Sequence, residues 1–172
     1  MSRKKATWIV IAIVGGLALW ANAPFSPLPA GVKADLLVVN KGERQLSAYS
    51  HGQLLRSYRV SLGGEPVATK IRQGDRKTPE GNYVIDGHNP ISSFHRALHV
   101  SYPSAADTAR AKAGGHDPGG EIMVHGIRNG LGWIGRAHRL IDWTTGCIAV
   151  TDGEIEELYR IVPDGTRIEI KP

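Results

Sequence analysis

Glycine and proline interrupt this chain so often that, past its first two dozen residues, long helices have little room. There are 21 glycines and 10 prolines among 172 residues, and what lies between them is mostly short apolar or alternating runs. Residues 35–39, DLLVV, form an apolar run of strand length. Alternation follows through Gln45, Leu46, Ser47, Ala48 and Tyr49 and breaks at Ser50-His51-Gly52. It resumes in LLRSYRVSLG, where Tyr58, Val60 and Leu62 share one face by the two-residue period. Residues 63–82 read as loop, with Thr78-Pro79-Glu80-Gly81 turning into a strand at Tyr83-Val84-Ile85. Residues 97–100 and 121–125 are further strands, and between them a helical turn or two over 105–112 is stopped by Gly114-Gly115. Thr151-Asp152-Gly153-Glu154 is a capping box, followed by a helix that buries Ile155, Leu158, Tyr159 and Val162 and ends at Pro163. Residues 167–170 then close the sheet. The expectation is a mainly β fold, a β-sandwich or other β-rich arrangement with one or two short helices, and no repeat or second domain.

The first residues carry a separate signal. MSRKK is basic, and residues 6–21, ATWIVIAIVGGLALWA, hold no charge. As a helix they rise about 24 Å, short of a hydrocarbon core of ~30 Å, although Trp8 and Trp20 suit the interface and Asn22 to Phe25 could lengthen the span. Residues 1–23 are therefore read as a cytoplasmic tip and single-pass inner-membrane anchor, with the rest of the chain in the periplasm or cell-wall space. The rival is a secretory leader cleaved at Ala21-Asn22-Ala23, which would release the domain. Residues 24–33 are a Pro-rich linker, and residues 34–172 make the one folded domain.

The formal charge of +5 includes Arg3, Lys4 and Lys5, so the domain itself carries only about +2, too little for a nucleic-acid partner. A single cysteine rules out an intrachain disulfide and makes a cysteine-based zinc cluster implausible. No cofactor is implied.

That cysteine, Cys147, stands in DWTTGCIAV after a glycine and two threonines. It could pack as a small apolar residue beside Ile148 and Val150. As a nucleophile it would need a base and amide donors for the developing oxyanion, and the N–H groups of Thr145, Gly146 and Cys147 are the candidates. Among seven histidines, His125 ends the apolar run IMV and is followed at once by Gly126, which would hold its ring firmly yet within reach. His138 is the competitor. A carbonyl near Gly126 or the carboxylate of Asp142 could orient the imidazole. A thiol activated this way would have a depressed pKa and alkylate near pH 6 faster than free cysteine. In the loop 129–143, Trp133 and Trp143 could line a groove, and Gly130, Gly132 and Gly135 could let the loop move.

VNKGERQLSAYSHGQLLRSYRVSLG, TPEGNYVI, IMVHG and TTGCIAV, in this order, resemble the L,D-transpeptidase catalytic domain, the YkuD-type cell-wall cysteine enzymes. The likeness runs from about residue 35 to residue 170. It places His125, Gly126, Thr144, Gly146 and Cys147 at the positions of the family's His-Gly and Ser/Thr-x-Gly-Cys motifs. It implies attack by Cys147 on the L-centre–D-Ala amide of a murein tetrapeptide, release of D-alanine, and transfer of the acyl group to an amine. That would form 3→3 cross-links or attach a protein such as a lipoprotein. Peptidoglycan stem peptides are the implied partners, and water as acceptor would give an L,D-carboxypeptidase or an amidase acting on murein–protein links. Two positions depart from the pattern: Ala149 where the family commonly has Arg, and Thr145 where it often has His or Asn. Arg128, Arg136 or Arg139 could supply the missing cation. A non-catalytic murein-binding module and a zinc site of Cys147, His125 and His138 are the competing readings.

Overall fold

The computed structural model of the protein describes residues 3–172. Strands β1 (Leu36–Asn40), β2 (Gln45–Ser50) and β3 (Gln53–Arg59) form the antiparallel meander that the alternation predicts. The hairpin between β2 and β3 turns at His51 and Gly52, both with positive φ, which matches the twist of the flanking strands. Five more strands follow: β4 (Gly81–Ser92), β5 (His95–Val100), β6 (Met123–His125), β7 (Ile148–Ala149) and β8 (Arg167–Lys171). The spatial order is β3-β2-β1-β8-β4-β5-β6-β7. β8 lies parallel to β1, with Leu37 opposite Ile168.

β4 bends this sheet. Its first four residues pair with β8, and from Ile85 onward it pairs with β5 across two register shifts, the kind of irregularity that curves a sheet. Beyond β3 the chain bridges to the opposite edge, Ser61 to Ala149 and Gly63 to Thr144. The sheet thus returns toward its own beginning and encloses Leu37, Val39, Leu46, Tyr58, Leu62 and Ile168, among other buried residues. Each fully buried Leu or Ile contributes about 1.5–3 kcal/mol.

Among the described residues four helices accompany the strands, so the fold is mixed α/β rather than mainly β with one or two short helices. α1 spans Arg3–Ala21, α2 spans Ala105–Ala113, a 3-10 helix spans Gly132–Leu140, and α3 spans Asp152–Ile161. α2 and α3 both start with the capping box their sequences encode, Ser104 with Asp107 and Thr151 with Glu154. α3 packs on β5 and β6 through Ile155, Leu158 and Ile161, none of which is exposed.

The N-terminal anchor requires correction. Among the described residues no helix is long and apolar enough to cross a membrane. α1 includes the basic Arg3, Lys4 and Lys5 and stops at Ala21. Asn22 is a turn residue and the chain from Ala23 into Pro24 is not helical, since proline cannot extend the helix hydrogen-bond ladder. The added length expected from Asn22 to Phe25 is therefore missing. The single-pass inner-membrane placement and the inner membrane as a partner fall with it. α1 meets the body through its last turn, where Ala21 is buried and its carbonyl lies against Gly135.

The Pro-rich segment 24–33 lies on the body. Phe25 and Leu28 pack against the core, and the Arg56 guanidinium sits 5.1 Å over the Phe25 ring. Leu28 N–H donates to the buried Glu157 carboxylate, and Arg160 reaches the carbonyls of Leu28 and Pro29 at 2.8 and 3.1 Å.

Candidate active site

β6 and β7 run parallel, with Val124 beside Ile148 and His125 beside Ala149. Continuing that register sets Cys147 beside Met123. Side chains alternate along strands, so Met123, His125, Cys147 and Ala149 share one face. That face opens on a cleft of ≈ 840 Å³ whose lining includes Phe94, Met123, His125, Trp143 and Cys147.

His125 is 4% exposed. Its Nδ1 lies 2.7 Å from the Gly126 carbonyl oxygen. A carbonyl can only accept, so Nδ1 carries the proton and Nε2 is left as the base. The Gly126 N–H donates to Phe94 O and Arg96 O at 3.1 and 3.2 Å, which fixes the peptide. A side chain at Gly126 would begin 2.8 Å from Asp152 Oδ1 and 3.0 Å from Ile155. Asp142, the other candidate orienter, accepts from Leu62 N–H at 3.0 Å and from the Arg44 guanidinium at 2.9 Å. Burial lowers the His125 pKa, opposed by the Gly126 hydrogen bond.

The turn carrying Cys147 is held by Thr144. Its hydroxyl donates to Cys147 O at 2.7 Å and accepts from Gly146 N–H at 3.1 Å. Of the three amides expected to face an oxyanion, that of Gly146 is thus engaged inside the turn. Gly146 has φ +140, and a Cβ there would meet Lys77 O at 2.7 Å, so the residue must be glycine for both conformation and space. Lys77 belongs to a loop stiffened by the buried Lys70–Asp75 ion pair at 2.9 Å. Burial would raise the Asp75 pKa, but Lys70 and the amides of Ile71, Arg72 and Lys77 outweigh it and hold the group at about 2.

Cys147 Sγ lies 3.4 Å from Glu121 O. Burial pushes the thiol above its ordinary range, against the opposing pull of Met123 N–H and the Lys70 charge. Both shifts favour a neutral thiol and a neutral imidazole at rest. They run against the expectation of a depressed thiol pKa and rapid alkylation near pH 6.

His138, the rival base, is 7% exposed. Its Nδ1 takes the Trp143 indole N–H at 3.4 Å, and Nε2 is buried without a partner among the described residues. Burial, Arg139 and His125 bring its pKa down to about 4. His138 therefore stays neutral and supports Trp143, whose ring lies 5.7 Å from His125 and 6.0 Å from Phe94.

The other sequence candidates separate. Arg128 is exposed and lines the cleft, as do Trp143, Thr144 and Thr145. Trp133 is 71% exposed and, like Arg136 and Arg139, stands outside the lining. Arg139 is committed to the Glu154 carboxylate at the start of α3. Ala149 is fully buried, so no cation enters the cleft from that position. Gly132 and Gly135 allow close approach, because a Cβ would strike Asp152 Oδ2 at 2.3 Å in one case and Ala21 O at 2.2 Å in the other. Among the described residues no group of three or more His, Cys, Asp or Glu could hold a metal ion.

Phe94 and Glu121 are among the cleft residues missed from sequence. Phe94 stands in a polar loop and gave no periodic signal. Glu121 was read as the start of a strand, whereas β6 begins at Met123 and Glu121 has φ +56.

Residues 34–170, which include the bent sheet and both β6 and β7, match the L,D-transpeptidase catalytic domain. The chain belongs to this family, YkuD. It is 30% identical over 128 residues to the provisionally named L,D-transpeptidase YafK of Escherichia coli (strain K12), covering 71% of this chain and 44% of YafK. The chain thus spans less than half the length of that relative. Among solved structures, the helical cell shape determining protein Pgp2 from Campylobacter jejuni superposes with a TM-score of 0.61 at 21% identity, over 92% of this chain and 55% of Pgp2. Bd1075 of Bdellovibrio bacteriovorus gives 0.58 at 22% identity, over 84% and 50%. An L,D-transpeptidase from Mycobacterium smegmatis gives 0.53 at 18%, over 81% and 59%. At these identities the likeness is one of fold.

Proposed function

We propose that this member of a peptidoglycan-active family is a murein L,D-transpeptidase working through a cysteine acyl-enzyme. Cys147 Sγ attacks the carbonyl of the L-centre–D-Ala amide in a tetrapeptide stem. His125 Nε2 takes the thiol proton as the C–S bond forms and returns it to the nitrogen of departing D-alanine as the C–N bond breaks. The amides of Cys147 and Thr145 face the oxyanion, since that of Gly146 is held by Thr144. An amine from a neighbouring stem or a protein then displaces the thiol, and the energy of the first amide is kept in the new one.

The observation that carries this reading is the tautomer lock. His125 Nδ1 is tied to Gly126 O at 2.7 Å, which leaves Nε2 as the base on the face shared with Cys147 at one cleft. Water reaching the same thioester would give an L,D-carboxypeptidase or amidase, and a chain that forms no acyl-enzyme with substrate would be a murein-binding module.

The test is to incubate the full-length protein with disaccharide-tetrapeptide and weigh both protein and products. An adduct on Cys147 with loss of D-alanine is expected, absent in Cys147→Ala and slowed by ~10²-fold or more in His125→Ala. Wild type without adduct or D-alanine would defeat the reading.

A further inference from the structure

Glu121 combines three features that the acyl-transfer chemistry leaves unexplained. The residue lines the cleft. Its carboxylate has no hydrogen bond or ion pair among the described residues, while its own carbonyl oxygen sits 3.4 Å from Cys147 Sγ. Its backbone is held at φ +56, an unfavourable region for a residue with a Cβ and one that tends to persist where a site requires it. The charge of this carboxylate opposes thiolate formation at Cys147 and so works against the first half of the reaction. Its use lies in the second half, when the sulfur is a neutral thioester.

We infer that Glu121 is the binding group for the incoming acyl acceptor, an alkylammonium, which it holds beside the thioester on Cys147. This rests on the acyl-enzyme reading above and names the chemistry of its second substrate. Arg128, which also lines the cleft, gives the opposite charge, so the cleft offers one anion and one cation to a zwitterionic peptide. The step balances as follows. The ammonium loses one proton to solvent past the exposed carboxylate, and the free amine attacks the acyl carbon. His125 Nε2 takes a second proton from nitrogen as the C–N bond forms and delivers it to sulfur as the C–S bond breaks. The products are an amide, the Cys147 thiol and one released proton.

The charge of the acceptor provides the test. Full-length wild type and Glu121→Gln are each loaded with disaccharide-tetrapeptide at about pH 8, in equal mixtures of methylamine, a cation at that pH, and hydroxylamine, a neutral nucleophile. The readout is the ratio of methylamide to hydroxamate by mass. Glutamine keeps the size and backbone demands of the position and removes only the charge. The ratio is expected to fall about tenfold in Glu121→Gln, the loss of one charge-assisted contact, and to recover in Glu121→Asp. An unchanged ratio in Glu121→Gln, with the Cys147 adduct present, overturns the role of Glu121 alone. Absence of any adduct in wild type overturns this inference together with the acyl-enzyme reading beneath it.

Discussion

At the scale of single residues, His125 is buried and Cys147 half-buried, and desolvation drives the two groups toward neutrality from opposite sides. It lowers His125 and raises Cys147, which disfavours a resting thiolate–imidazolium pair. The proton must move during attack, with His125 acting as a general base toward an acylating substrate. The sign of the pH dependence follows. D-alanine release requires His125 unprotonated, so activity should persist below the ordinary histidine range and fall on the acid side only as the lowered His125 pKa is approached. Alkylation by iodoacetamide, which needs thiolate, should still be rising above about pH 9, past the range of free cysteine. A rate profile from acid to alkaline pH with both reagents checks this. A plateau of alkylation near pH 6 would mean a preformed ion pair. The roles expected of His125 and Cys147 could be framed from sequence because a His-Gly at a strand end and a Gly-Cys turn are local patterns. Their protonation could not, because desolvation depends on Phe94 and Trp143, which reach the His125 ring from distant segments.

At the scale of elements, Glu154 joins three parts of the molecule. Its carboxylate accepts from Thr151 N–H at 2.9 Å and Thr151 Oγ1 at 2.8 Å, and it also receives the Arg139 guanidinium from the 3-10 helix. Removing the carboxylate uncaps α3 and strands a guanidinium whose Nε already has no partner among the described residues. Removing the guanidinium leaves Glu154 with its cap. Glu154→Ala should therefore cost about 3–5 kcal/mol, in the range for breaking a buried pair, and Arg139→Met clearly less. Urea unfolding of the two variants gives the order, and equal losses would show that the cap contributes little. The Thr151–Glu154 box was legible because capping is set by residues three apart. The 3-10 helix was not, since Gly130, Gly132 and Gly135 read as breakers. Gly132 and Gly135 serve instead to admit Asp152 and Ala21, contacts that no local pattern encodes. β4 was legible only to Ile85. Its second half passes through Gly87 and Pro90 with register shifts, where the period-two signal lapses although pairing continues.

At the scale of the whole molecule, the folded unit extends beyond the segment that matches the family. The match starts at residue 34, yet residues 24–33 satisfy groups deep in the body. Glu157 is 2% exposed and takes hydrogen bonds from Tyr58 OH at 2.7 Å and from Leu28 N–H. The Arg56 guanidinium, 3.2 Å from the same carboxylate, also donates to Ser26 O and rests on Phe25. α1 adds little to this body, because Trp8 through Trp20 are largely exposed and, among its described side chains, only Ala21 is buried. Two truncations should then differ sharply. A chain starting at Ala23 keeps the whole network and should melt close to the full-length protein. A chain starting at Ala34 loses one donor to a buried carboxylate, worth about 1–3 kcal/mol, together with the apolar cover of Phe25 and Leu28. Its melting temperature should fall by about 5 °C or more relative to the longer truncation. Calorimetry of the two decides it. Equal melting temperatures would mean that the Pro-rich segment rests on the surface without supporting Glu157, and that the family segment alone defines the stable domain.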